Sequence, residues 1–218
     1  MWIKICGIQD PETACTVADL GATALGLNFY SPSPRFIDLA TAREIQSAIG
    51  SREITLVGLF VNHSLSDVIT TCKALSLSII QLHGEEPPEF LAELAQQFPT
   101  LTIIKAIRTS EPDLSFLESY LKACDQTGKR PDHILIDAYS PISYGGTGHL
   151  APWEMIRREY RYSDWPALIL AGGLTPENVS EAITAVQPFG VDTASGVEDQ
   201  PGVKNRDRVA AFINQAKK

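Results

Sequence analysis

Apolar, β-branched runs recur along the chain at residues 2–6, 24–29, 54–60, 78–82, 101–107, 133–138, 167–171 and 190–193. Each is short and nearly continuous in apolar character, as strands buried on both faces of a parallel sheet are. Between them the period changes to that of a helix. Leu65, Val68, Ile69 and Cys72 stand at i, i+3, i+4 and i+7. So do Leu91, Leu94, Ala95 and Phe98, then Val179, Ala182, Ile183 and Val186, and finally Val209, Phe212, Ile213 and Ala216. Each set makes one apolar stripe with a polar back. Asp10-Pro11 and Thr175-Pro176 both read as an N-cap followed by proline at the first helical position.

The pattern amounts to eight strand-like runs, each followed by a helix or a helix-length segment, at about 27 residues per unit. Strict alternation predicts a parallel sheet with right-handed crossovers. Eight units close most economically into an α/β fold of the (β/α)8 TIM-barrel type, as a single catalytic domain over residues 1–218. An open doubly wound sheet is the alternative, but no GxGxxG follows the first strand. The sixth unit is the weakest, with a short helix near 153–158 and a long loop before it.

Composition narrows the function. At 44% hydrophobic the chain is not disordered, and no run reaches the roughly 18 apolar residues of a membrane span. Its start, Met1-Trp2-Ile3-Lys4-Ile5-Cys6, lacks the pattern of a secretory signal. A net charge of -8 argues against nucleic acid or a membrane surface as partner. Cys6, Cys15, Cys72 and Cys124 form no CxxC pair, which points to free thiols in a reducing cytoplasm.

In a barrel of this kind chemistry sits at the C-terminal strand ends. Strand one ends in Lys4-Ile5-Cys6-Gly7. Alternation puts Ile3 and Ile5 toward the helices and turns Lys4 and Cys6 into the barrel, with Cys6 at the mouth beside a lysine that would favour a thiolate. Cys15 and Cys72 sit on helical segments, and Cys124 follows one. Asp137 terminates an apolar run, as a loop cap or as a catalytic carboxyl. The loop after it carries Gly145-Gly146-Thr147-Gly148, which suits close approach to a ligand or a plain connection. Gly172-Gly173 after strand seven, with a helix capped by Thr175, and Ser195-Gly196 after strand eight mark the recurring phosphate site of this fold. Arg35, on a loop stiffened by Pro32 and Pro34, reads as a carboxylate or phosphate fork or as a solvated arginine. Gln81 and His83 share a face at the end of strand four. A lone histidine is more often structural, and no neighbour has metal-ligand spacing with it, so no metal is expected.

These segments together resemble the phosphoribosylanthranilate isomerase family. The resemblance is carried by Lys4-Ile5-Cys6-Gly7-Ile8, Ser33-Pro34-Arg35, Val57-Gly58-Leu59-Phe60-Val61, Gln81-Leu82-His83-Gly84, Asp137 and Gly145-Gly146-Thr147-Gly148. It continues in Gly172-Gly173-Leu174, Pro176-Glu177-Asn178-Val179, Val191-Asp192 and Ser195-Gly196-Val197-Glu198. They are collinear over nearly the whole chain. The resemblance implies a cofactor-free Amadori rearrangement in tryptophan biosynthesis, with Cys6 as general base and Asp137 as general acid. It implies substrate contacts from Arg35, at the anthranilate end, and from Gln81, His83 and Asp192. Gly172, Gly173, Ser195 and Gly196 would hold phosphate. The chain departs from the family's common pattern at Ala194, at Asn205 and at Ala151-Pro152, chiefly in loops six and eight.

Two other readings stay open from sequence alone. One is another phosphosugar isomerase of the same fold, such as the histidine-pathway isomerase that performs the same rearrangement, although an aspartate would be expected there where Cys6 stands. The other is a non-catalytic phospho-ligand barrel, which needs neither Cys6 nor Asp137. The expected partner is a small phosphorylated molecule, and the assembly a monomer or homodimer.

Overall fold

The structure, a computed structural model, describes residues 1–108, 113–137 and 152–218. Eight parallel strands close in sequence order: β1 (Trp2–Cys6), β2 (Ala24–Asn28), β3 (Thr55–Phe60), β4 (Ile79–Leu82), β5 (Thr102–Arg108), β6 (His133–Asp137), β7 (Ala167–Ala171) and β8 (Gly190–Thr193). The helices between and after them are α1 (Pro11–Asp19), α2 (Leu39–Ile49), α3 (Leu65–Leu75), α4 (Pro88–Gln97), α5 (Ser115–Thr127), α6 (Pro152–Glu159), α7 (Val179–Val186) and α8 (Arg206–Ala216). This is the (β/α)8 barrel, and the open-sheet alternative falls because β1 pairs with both β2 and β8.

Alternation along each strand sorts two cores. Outward residues such as Ile3, Ile5, Leu25, Leu27, Ile80 and Leu82 pack against the helices. Inward residues Ala24, Val57, Ile104, Ala106, Leu135, Ile169 and Ala171 fill the barrel. Small residues alternate with branched ones there, so the interior is a packed plug under the mouth. Closure brings Lys4 beside Asp192 across the β1–β8 register. Direct pairing of the consecutive strands β5 and β6 sets Arg108 beside Asp137.

Helix starts follow local chemistry. Asp10, Asp38, Ser64 and Asn205 each accept a hydrogen bond at their side chain from the amide three residues on. Such a cap contributes about 1 kcal/mol. Asn205 is thus the N-cap of α8. Two expectations need correcting. Thr175 does not cap α7: one turn intervenes, Asn178 is the N-cap, and its Oδ1 accepts from the Thr175 amide at 2.8 Å. Pro176 thus starts that turn and not the helix. Cys124 lies within α5, whose last turn runs to Thr127. The segment Gly145-Gly146-Thr147-Gly148 lies outside the described residues. Among the described residues no helix is long and apolar enough to cross a membrane.

After β8 comes a 3-10 turn, Ser195–Val197, and then a small antiparallel hairpin of β9 (Glu198–Gln200) and β10 (Val203–Lys204). Nothing in the hydrophobic pattern announces this hairpin, because its strands are short and polar.

Candidate active site

A cavity of about 420 Å³ opens at the C-terminal mouth of the barrel. Its wall includes Cys6, Arg35, Gln81, His83, Asp137 and Asp192, and the turns Gly172-Gly173 and Ala194-Ser195. The expected residues therefore meet in one place, with one exception. Gly196 does not line this cavity. A Cβ there would lie 1.9 Å from the Leu174 carbonyl oxygen, so glycine is needed to press loop eight onto loop seven. Thr193 Oγ1 donates to the same carbonyl at 2.7 Å.

Cys6 and Lys4 point inward from β1, and Gly26 on β2 makes room for them. A Cβ at Gly26 would lie 2.7 Å from Cys6 Sγ and 3.0 Å from Lys4 Cε. Lys4 is fully buried and its Nζ donates to Asp192 Oδ1 at 2.9 Å. Burial works against its ammonium, but Asp192 and then Cys6 more than offset it and hold Lys4 above the ordinary lysine range. Burial lifts the Asp192 carboxyl, with Lys4 opposing. Cys6 belongs to the mouth, whereas Cys72 and Cys124 are buried thiols pushed up to about 11 by desolvation. All four cysteines are unpaired.

Gln81 is wholly buried, and its Nε2 lies 2.9 Å from His83 Nδ1. Burial, and then the positive charges of Arg108, Lys4 and Lys105, lower His83 to about 4. The ring is therefore neutral near pH 7. With Gln81 donating to Nδ1, the proton of the ring is on Nε2. That Nε2 and Gln81 Oε1 are buried and have no hydrogen-bond partner among the described residues. His83 Nε2 stands 3.9 Å from Asp137 Oδ2, too far for a direct hydrogen bond. The mouth thus presents one buried donor and one buried acceptor next to the Asp137 carboxyl.

Gly172 and Gly173 both adopt positive φ, 86° and 65°, which glycine takes at little cost. Their turn and the loop at Ala194-Ser195 bound the cavity together. The wall also carries Arg35, whose Nε and Nη2 donate to Glu198 Oε1 and Oε2 at 2.8 and 2.6 Å. Arg35 is thus neither a solvated loop arginine nor an unengaged fork. Burial would lift Glu198, yet Arg35 and Lys204 hold it below the usual carboxylate range.

Sequence reasoning missed three participants. Arg108 ends β5 one residue beyond the expected run and lines the mouth beside Asp137. Glu198 was legible as part of a motif but not as the partner of Arg35. Asn28, at the end of β2, also lines the cavity, and its Oδ1 accepts from the Tyr30 amide. For Arg108 a signal existed: inward alternation along β5 runs Ile104, Ala106, Arg108. Among the described residues no cluster of three His, Cys, Asp or Glu side chains is arranged to hold a metal ion.

Titratable side chains at the strand ends, with glycine turns beside them, place this chain in the class of (β/α)8-barrel enzymes that act on small metabolites. A family model described as N-(5'phosphoribosyl)anthranilate (PRA) isomerase matches residues 3–215. The N-(5'-phosphoribosyl)anthranilate isomerase of Crocosphaera subtropica is 40% identical over 100% of this chain and 99% of its own length. The crystal structure of phosphoribosyl anthranilate isomerase from Thermotoga maritima is 37% identical, with a TM-score of 0.83 over 100% of this chain and 98% of that one. Another crystal structure is of a phosphoribosyl anthranilate isomerase in complex with reduced 1-(o-carboxyphenylamino)-1-deoxyribulose 5-phosphate. It is 34% identical, with a TM-score of 0.82 over the same shares of the two chains. This chain belongs to the N-(5'-phosphoribosyl)anthranilate isomerase family, and it is an isomerase.

Proposed function

We propose that this mouth converts N-(5'-phosphoribosyl)anthranilate into 1-(2-carboxyphenylamino)-1-deoxyribulose 5-phosphate for tryptophan biosynthesis, with Asp137 as general acid and Cys6 as general base. The observation that carries the assignment is the presence of Cys6 and Asp137 in one cavity, lined also by the Gly172-Gly173 turn and by Arg35. Asp137 delivers a proton to the ribose ring oxygen as the C1–O bond breaks, leaving an iminium at C1. The iminium acidifies the C2 proton, which the Cys6 thiolate removes to give an enolamine. Return of a proton from the Cys6 thiol to C1, with transfer of the C2 hydroxyl proton to the Asp137 carboxylate, then gives the ketone and restores both groups. One acid and one base suffice, and each contributes typically about 10²–10⁴-fold.

The relative that binds the reduced product supports a ligand with phosphate at one end and a carboxylate at the other. In this chain phosphate is assigned to Gly172, Gly173 and Ser195, with Gly196 shaping the loop. The ring donor of neutral His83 and the acceptor of Gln81 are assigned to the substrate's hydroxyl groups. Asp192 keeps Lys4 charged beside the base. The rearrangement is assigned to the cytoplasm.

Replacement of the two groups tests this. Cys6→Ala is expected to lower kcat by about 10²–10⁴-fold with little change in thermal stability. Asp137→Asn should lower kcat more than it raises KM, because the lost proton transfer matters in the transition state. Turnover of Cys6→Ala within a few-fold of wild type, with chemistry rate-limiting, removes Cys6 from the base role. Unchanged turnover of Asp137→Asn moves the acid role to Asp192.

A further inference from the structure

Arg35 is held at three levels. Gln9 Nε2 donates to the carbonyls of Pro34 and Phe36 at 3.0 and 3.2 Å, on either side of Arg35 in sequence. Gly7, at φ 78°, leaves room for the stem, since a Cβ there would lie 2.5 Å from Arg35 Cδ. The head is engaged by Glu198. That carboxylate also receives Lys204 Nζ at 2.6 Å, and the backbone carbonyl of Glu198 accepts from Arg208 Nη1 at 2.7 Å. Lys204 lies opposite Glu198 in the β9–β10 register, and both side chains are buried. Lys204 Nζ donates a second bond, at 3.2 Å, to the Ala194 carbonyl in the loop that bounds the cavity.

Two cations thus surround one carboxylate, and the cluster keeps a net positive charge. A guanidinium has five N–H donors. Glu198 engages the Nε–Nη2 edge. Among the described residues no group bonds Nη1, which leaves the Nη1–Nη2 edge for a second carboxylate to form a second fork without displacing the first. If Lys204 were neutral, the Arg35–Glu198 pair would carry no net charge, and an incoming carboxylate would meet Glu198 with no excess cation. Burial makes such a cluster costly, and removing one member leaves an uncompensated charge.

We propose that Glu198 and Lys204, presented by the β9–β10 hairpin, are positioning residues that set the edge and the net charge with which Arg35 receives the substrate carboxylate. Through the Ala194 carbonyl, the same hairpin ties this end of the site to the loop assigned to phosphate. The proposal rests on the reading of Arg35 as the carboxylate-binding group.

The experiment compares two substrates, the anthranilate N-glycoside and its aniline counterpart, which lacks the carboxylate. Glu198→Gln and Lys204→Met are each expected to raise KM for the anthranilate compound by about tenfold, within the range for a charge-assisted hydrogen bond, with kcat within about twofold. KM for the aniline compound should change by less than about twofold. In an Arg35→Ala background neither replacement should add a further loss, because the groups act as one unit. Equal losses on both substrates, additive losses in the double variants, or a lower KM in Glu198→Gln each overturn the proposal. In the last case Glu198 competes with substrate. Should Glu198→Gln fail to fold, the two KM values of Lys204→Met decide. Arg35→Ala alone separates the two ideas. If it weakens both substrates equally, the carboxylate reading itself fails. If it is selective while the hairpin variants are not, only the positioning proposal fails.

Discussion

Two buried lysine–carboxylate pairs sit on opposite faces of the same barrel wall. Lys4 on β1 points inward and meets Asp192 at 2.9 Å; Lys105 on β5 points outward and meets Glu86 at 2.7 Å. The first pair lies under the mouth, with Cys6 and the cavity beside it. The second is wedged between sheet and helix layer. Lys105 also bonds the Gly84 carbonyl and faces the Tyr120 ring of α5 at 5.9 Å. Glu86 accepts from the amides of Asn62 and Gly84, so one carboxylate joins the loops after β3 and β4 to strand β5. Chemically the pairs are alike. Their surroundings differ: one lies under the barrel mouth beside a thiol, the other lines a separate cavity of about 560 Å³ against α5 and is largely occupied with backbone groups. A buried ion pair therefore says little by itself about catalysis, and the face of the strand it occupies says much.

The largest expected effect separates the two pairs directly. Lys4→Met and Lys105→Met should each destabilise the protein by about 3–5 kcal/mol, because each leaves a buried carboxylate unpaired. Chemical denaturation measures that cost. Turnover per folded molecule should fall at least about tenfold in Lys4→Met, where the charge beside the base is lost, and stay within a few-fold in Lys105→Met. Equal effects on turnover would erase the distinction between the pairs.

His83 senses both lysines, since each helps to lower it to about 4. An unfolded histidine titrates near 6.5. Below that pH the unfolded chain takes up a proton and the folded chain does not, so the unfolded state gains. The stability associated with neutral His83 is complete above about pH 6.5 and is lost as pH falls toward 4, by at most about 3 kcal/mol. Stability against pH should therefore flatten across this window in His83→Gln. Nuclear magnetic resonance titration of the ring should show its pKa rising in both lysine variants. A ring that titrates near 6.5 in the wild type would remove this link.

The smallest effect concerns the outer pair alone. Tyr120 Oη donates to the Glu86 carbonyl at 3.1 Å. Tyr120→Phe should cost about 0.5–1.5 kcal/mol and leave KM and kcat unchanged. A change in KM would mean that the outer network reaches the mouth.

The barrel was legible from the chain because its signal is local and repeated. Eight apolar runs in alternation with helical segments leave little choice of topology, and period two along β1 was enough to place Lys4 and Cys6 inside and Ile3 and Ile5 outside. Glycine pairs and polar residues at strand ends marked the mouth, since in this fold chemistry can sit only there. Partnership was not legible. Arg35 and Glu198 lie 163 residues apart, and Lys4 and Asp192 188 apart, so only closure of the barrel makes them neighbours. The same limit hid the split between the two lysines. Lys105 stands in an apolar run much as Lys4 does, and its outward register shows only when Ile103 and Ile107 are found packed against the helix layer. One constraint on Gly196 was hidden for a related reason: the close approach that leaves no room for a side chain there comes from Leu174, on another loop. Sequence by itself determined the alternation, the strand ends and the chemistry available at them. Tertiary structure decided which charges meet and which donors remain for substrate, because hydrogen bonds and ion pairs act over a few ångströms of space and not along the chain.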